Sequence, residues 1–128
     1  MDYLTLILAI AMVESGGNPH AFNKSEGARG LYQIRPIYVA DCNRIQQTRV
    51  YTLEDCYDQE KSIEMMMIYW NHYASERRLG YKPDYETLAR MHCAGGGSGH
   101  LKECSKPYWE KVKRQLALQI PTHSQDID

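Results

Sequence analysis

The sequence predicts a mainly α single-domain protein with a small loop or β element. Three observations carry that reading. A run of apolar residues, Leu4 to Val13, ends at Gly16-Gly17. A second apolar stripe, Cys56, Ile63, Met66, Met67, Trp70, Tyr73 and Ala74, recurs at helical spacing. No repeat or linker divides the 128 residues, a length that suits one core.

Taken in order, residues 3–15 predict the first helix. Residues 4–13 resemble the apolar core of a signal peptide, but Asp2 stands where a positive charge belongs. No small-residue cleavage site precedes Glu14, and the run is too short to span a bilayer. Asn18 to Gly30 predicts a loop with room for a turn or hairpin. Leu31 to Ile34 returns an apolar strip to the core. Pro36 suits a helix first turn, and residues 37–45 predict a short helix. Thr52, with Glu54 and Asp55 behind it, predicts the start of a central helix running to about Arg77. Asp84 predicts the cap of a helix ending near Met91, and Ser105 the cap of the last helix, with Trp109, Val112 and Leu116 on one face. The domain is expected over residues 1–120, with 121–128 a polar, frayed tail.

Net charge is −1, so no basic excess points to nucleic acid or an anionic membrane. Gly95 to Gly99 lacks the strand and the Lys-Ser/Thr pair of a phosphate loop, which argues against a nucleotide. No Cys-x-x-Cys occurs among the four cysteines, so no metal or other cofactor is expected. Of the three possible pairings, local bridges Cys42–Cys56 and Cys93–Cys104 are preferred, in an oxidising compartment. Ten Tyr against one Phe suit a sugar cleft, or equally an amphipathic core edge.

Glu14 is the residue with the clearest chemistry. It sits where an apolar helix meets a Gly-rich loop, half in the core. Desolvation there raises a carboxyl pKa and prepares a general acid. A Glu before such a turn is also the ordinary solvated end of a helix. Its charge opposes the helix dipole by a few tenths of a kcal/mol, which favours function over stability as its reason.

The surrounding residues form a recognisable pattern. Glu14-Ser15, Pro19, then Gly27-Ala28-Arg29-Gly30-Leu31-Tyr32-Gln33-Ile34 and Pro36 resemble the lytic transglycosylase signature of the lysozyme superfamily. Ala89-Arg90-Met91-His92-Cys93-Ala94-Gly95-Gly96, followed by Tyr108-Trp109-Glu110-Lys111-Val112, is similar to the C-terminal half of transglycosylases and of invertebrate-type lysozymes, with Cys93 where an Asn is expected. The resemblance implies an α+β lysozyme-like fold whose small β element flanks a cleft. It implies cleavage of the β-1,4 bond between N-acetylmuramic acid and N-acetylglucosamine in peptidoglycan, with Glu14 as acid and base.

It also implies cleft roles for Tyr32 and Gln33, which would stack on and hydrogen-bond to the sugar. His92 is a candidate to line the cleft opposite Glu14, and Ser15 to hold Glu14 in place. Glu26, the nearest other carboxylate in sequence, completes the candidates. With no clear second carboxylate, a lytic transglycosylase is preferred over a hydrolytic lysozyme (muramidase). The alternative is a non-catalytic lysozyme-like wall-binding module, or a structural part of a virion or secretion apparatus. Peptidoglycan is the expected partner, and the chain is expected to be a monomer outside such an assembly. The expected location is periplasmic, extracellular or virion-associated.

Overall fold

The computed structural model describes residues 1–119. Asp2 opens α1 (Tyr3–Ser15), its carboxylate accepting from the amides of Leu4 and Thr5. An anion there pairs amides that the helix leaves open. Leu6, Ile7, Ala9 and Ile10 are buried, whereas Leu4, Leu8 and Met12 stand about half exposed. The helix is apolar on nearly every side, yet its main neighbour, α6 (Lys106–Gln119), and α5 (Tyr85–Ala94) leave that stripe uncovered. Gly16 ends α1 in the left-handed conformation at φ 64°, which glycine adopts without a Cβ clash.

A minimal hairpin follows, β1 (Phe22–Asn23) antiparallel to β2 (Ala28–Arg29). The Asn23 side chain accepts from the Ser25 amide and hydroxyl and folds the turn. Gly30 has φ 84°, and a Cβ there would lie 1.9 Å from the Cys56 carbonyl oxygen. Only glycine lets the hairpin close against that segment. Tyr32 and Ile34 then enter the core.

Pro36 starts α2 (Pro36–Gln46) in its first turn. The continuous helix expected from Thr52 to about Arg77 is three pieces: a 3-10 segment (Leu53–Tyr57), α3 (Gln59–Tyr73) and α4 (Glu76–Leu79). Polar side chains make the breaks. The Asp55 carboxylate accepts from the Thr52 amide, Asp58 from Lys61 and Ser75 from Arg78, each starting a new segment. Asp84 caps α5 through the Thr87 amide, as expected. Ser105 does not cap α6. Its buried hydroxyl accepts from Arg90 Nε and lies 2.8 Å from the Gly99 and Lys102 carbonyls, fixing the turns that lead into α6.

Helix α3 is central. Met65, Met66 and Trp70 are buried with Leu6, Ile10, Leu88 and Met91, each side chain contributing ~1.5–3 kcal/mol by burial. The Trp70 indole donates to the Leu88 carbonyl, tying α3 to α5.

All four cysteines are free, so the expected bridges Cys42–Cys56 and Cys93–Cys104 are absent. Short loop spacing does not by itself turn two thiols face to face. The Cys42 thiol donates to the Met65 carbonyl, and Cys104 is exposed while Cys93 is half-buried. Burial pushes the Cys42 thiol up to about 12, and Cys56 and Cys93 up to about 11, so these three stay protonated. The tail expected at 121–128 lies outside the described residues. Among the described residues, no helix is long and apolar enough to cross a membrane.

Candidate active site

Glu14 leaves the core on the last turn of α1, with its side chain 20% exposed. Its Oε2 accepts a hydrogen bond of 2.8 Å from the Tyr108 hydroxyl on α6. The same oxygen stands 3.7 Å from Nε2 of His92 on α5. Burial raises the carboxyl from its ordinary 4.5 to about 7. The Tyr108 hydrogen bond and the charges of Arg35 and Lys111 act the other way, while the like charge of Glu26 adds to the rise.

His92 is buried, and burial pushes its pKa down to about 4, so the ring is neutral. Its Nε2 lies 2.9 Å from the Tyr32 carbonyl oxygen and its Nδ1 3.2 Å from the Tyr38 hydroxyl. A carbonyl only accepts, so the hydrogen sits on Nε2 and Nδ1 accepts from Tyr38. The approach to Glu14 is therefore no ion pair. His92 lies against the carboxyl but is itself buried.

The other candidates divide. The Ser15 hydroxyl lies 3.1 and 2.8 Å from the carbonyls of Ala11 and Leu31, and accepts from the Asn18 amide. It ties the loop to α1 directly beside Glu14. Tyr32 is 1% exposed, so its ring cannot stack on a sugar here. Alternation along residues 31–34 turns that ring inward, and only its carbonyl serves the site. Gln33, at φ 51°, donates from Nε2 to the carbonyls of Ala21 and Gly30 and clamps the hairpin. Glu26 is exposed on the hairpin turn.

Sequence reasoning assigned no role to Tyr108, Tyr38 or Arg35. The signal for Tyr108 was its place in the Tyr-Trp-Glu-Lys-Val block; for the other two there was none. A concavity of about 850 Å³ lies elsewhere, between α2 and residues 47–53. No carboxyl group lines it, so it lacks an acid for this chemistry. Among the described residues, no group of three or more His, Cys, Asp or Glu is placed to hold a metal ion.

A family model described as transglycosylase SLT domain matches residues 2–82. The chain belongs to that family. Lytic transglycosylases acting on peptidoglycan are what the SLT family comprises. The SLT match spans α1 through α4 and includes Glu14 and Gln33, while His92 and Tyr108 lie beyond it. Among curated proteins, none matches the chain.

Proposed function

We propose that this SLT domain cleaves the β-1,4 bond between N-acetylmuramic acid and N-acetylglucosamine, with Glu14 as general acid and then general base. The observation that carries the reading is a half-buried carboxyl held at about 7. At neutral pH such a group both delivers a proton and takes one back. Glu14 protonates the leaving glycosidic oxygen as the bond from C1 breaks, and positive charge spreads over C1 and the ring oxygen. The carboxylate then accepts the proton of the muramoyl C6 hydroxyl as that oxygen bonds to C1. No water is consumed, and the product ends in a 1,6-anhydro sugar.

The immediate surroundings of the carboxyl favour this route over hydrolysis. The groups in contact with Glu14 Oε2 are a phenol and a neutral imidazole, not a second carboxylate. A retaining hydrolase sets its second carboxylate about 5 Å from the first, an inverting one about 6.5–9.5 Å. The substrate places the work at the cell wall, in the periplasm, outside the cell or on a virion.

Mass analysis of a wall digest tests the reading. Anhydro ends are one water lighter than reducing ends and are the expected product. A digest with reducing ends alone would establish a hydrolase instead. No cleavage by the native chain would remove the enzymatic reading.

A further inference from the structure

Gln33 carries a strain that no helix end explains. Its φ is 51°. Gln47, the other non-glycine residue with positive φ among the described residues, closes α2 as a helix cap. Gln33 instead lies in a loop, residues 30–33, closed by two hydrogen bonds of 3.0 and 3.1 Å between the backbones of Arg29 and Ile34. A left-handed backbone costs free energy in a residue with a Cβ, and it persists where the surroundings over-determine it.

The loop aims three successive carbonyl oxygens at three different partners. That of Gly30 accepts from the Gln33 backbone amide at 3.2 Å and from Gln33 Nε2 at 3.0 Å. That of Leu31 lies 2.8 Å from the hydroxyl of Ser15, the chain neighbour of Glu14. That of Tyr32 accepts from His92 Nε2 at 2.9 Å, and the same nitrogen stands 3.7 Å from Glu14 Oε2. Gln33 Nε2 also donates to the Ala21 carbonyl at 3.2 Å. An amide nitrogen carries two hydrogens, so both are spent inside the hairpin and neither is free for a sugar.

We propose that Gln33 is a positioning residue for the cleavage reaction, in place of the hydrogen bond to the sugar that the family resemblance implies. By holding the 30–33 loop it aims the Leu31 and Tyr32 carbonyls, and through them it fixes two neighbours of Glu14, Ser15 along the chain and His92 across it. The inference rests on the reading of Glu14 as the acid. A displaced acid costs rate rather than affinity.

Three measurements on Gln33→Gly test this. Glycine accepts φ 51° without strain, so the variant keeps the backbone and loses the two side-chain bonds. On a soluble muramoyl tetrasaccharide, kcat should fall by ~10–10² with KM unchanged. Calorimetry in the Glu14→Gln background should give the same affinity for that tetrasaccharide with and without the glycine. In nitrogen-edited NMR, the ring N–H of His92 that the Tyr32 carbonyl holds should shift or broaden. Asn23→Ala controls for a merely structural effect, because the Asn23 side chain folds the same hairpin without touching the three carbonyls. It should lower the melting temperature and leave kcat and the His92 signal in place. If Gln33→Gly unfolds, Gln33→Asn decides by the same three measurements, since Asn tolerates the left-handed turn and keeps a shorter amide. An affinity that drops as far as kcat/KM assigns Gln33 to the sugar and overturns the proposal. So does an unchanged kcat, a kcat loss with the His92 signal unmoved, or an equal kcat loss in Asn23→Ala. If the native chain leaves both the tetrasaccharide and cell walls intact, the reading of Glu14 fails and takes this inference with it. Cleavage by the native chain beside any of the overturning results removes this inference alone.

Discussion

The end of α1 and the corner between α5 and α6 meet at one carboxyl group, and they are built in opposite ways. The α1 end is partly exposed and ringed by Gly, Ser and Asn, and it lies inside the family match. The α5–α6 corner lies outside that match and contacts the carboxyl oxygen through a neutral imidazole and a phenol, with the charge of Lys111 on α6 acting on it as well. The reactive group and the surroundings that tune it are thus separable. One sits in a short local motif, and the Tyr108 contact comes from 94 residues away. Burial moves the two titratable neighbours in opposite directions, Glu14 up to about 7 and His92 down to about 4. It disfavours the charged form of each, an anion in one case and a cation in the other.

The largest effect that tests this division is on rate. Glu14→Gln keeps the shape and removes the proton, so wall cleavage should fall by ~10²–10⁴ with the fold intact. Turbidity loss of a wall suspension measures it, and a variant retaining most activity would end the assignment.

The next effect is on stability. The folded chain keeps the Glu14 proton between 4.5 and about 7, where the unfolded chain has released it. Stability therefore falls as pH rises through that window, and the full penalty applies above it. Glu14→Gln should be more stable than the native chain by on the order of 2–3 kcal/mol at about pH 8, with no difference near pH 4. His92 acts with the opposite sign. The unfolded chain takes up its proton below 6.5 and the folded chain only near 4, so stability falls as pH drops through that range. The two slopes oppose each other in the native chain, and Glu14→Gln leaves the His92 slope alone. Urea unfolding across a pH series shows both; equal stability of variant and native chain at alkaline pH would mean that the carboxyl is not desolvated.

Tyr108→Phe is a smaller change. It removes a hydrogen bond that lowers the Glu14 pKa, so the alkaline limb of kcat/KM moves to higher pH. A limb that stays in place would show that the α6 contact does not tune the acid. The smallest expected effect is none. Reducing agent should leave the melting temperature unchanged, and thiol titration of denatured, unreduced protein should find four thiols.

Much of this architecture was legible residue by residue. The apolar run to Val13, the Gly16 cap, Pro36 at a first turn and the Asp84 cap all depend on neighbours within about four positions. So did the placing of Glu14 where a buried helix turns to solvent. The breaks at Asp58 and Ser75 were local too, but the apolar stripe from Cys56 to Ala74 masked them. What the amino-acid order determined by itself is where helices start and stop and where an acid stands at their end. The tertiary structure alone decided that Tyr32 points inward, that Leu4, Leu8 and Met12 face outward, and that the thiols do not meet. It also decided that Tyr108 and His92 converge on Glu14 with Arg35 nearby. The physical reason is that capping and periodicity are local interactions. Side-chain direction and desolvation depend on which helix packs over which, across separations that no local pattern encodes.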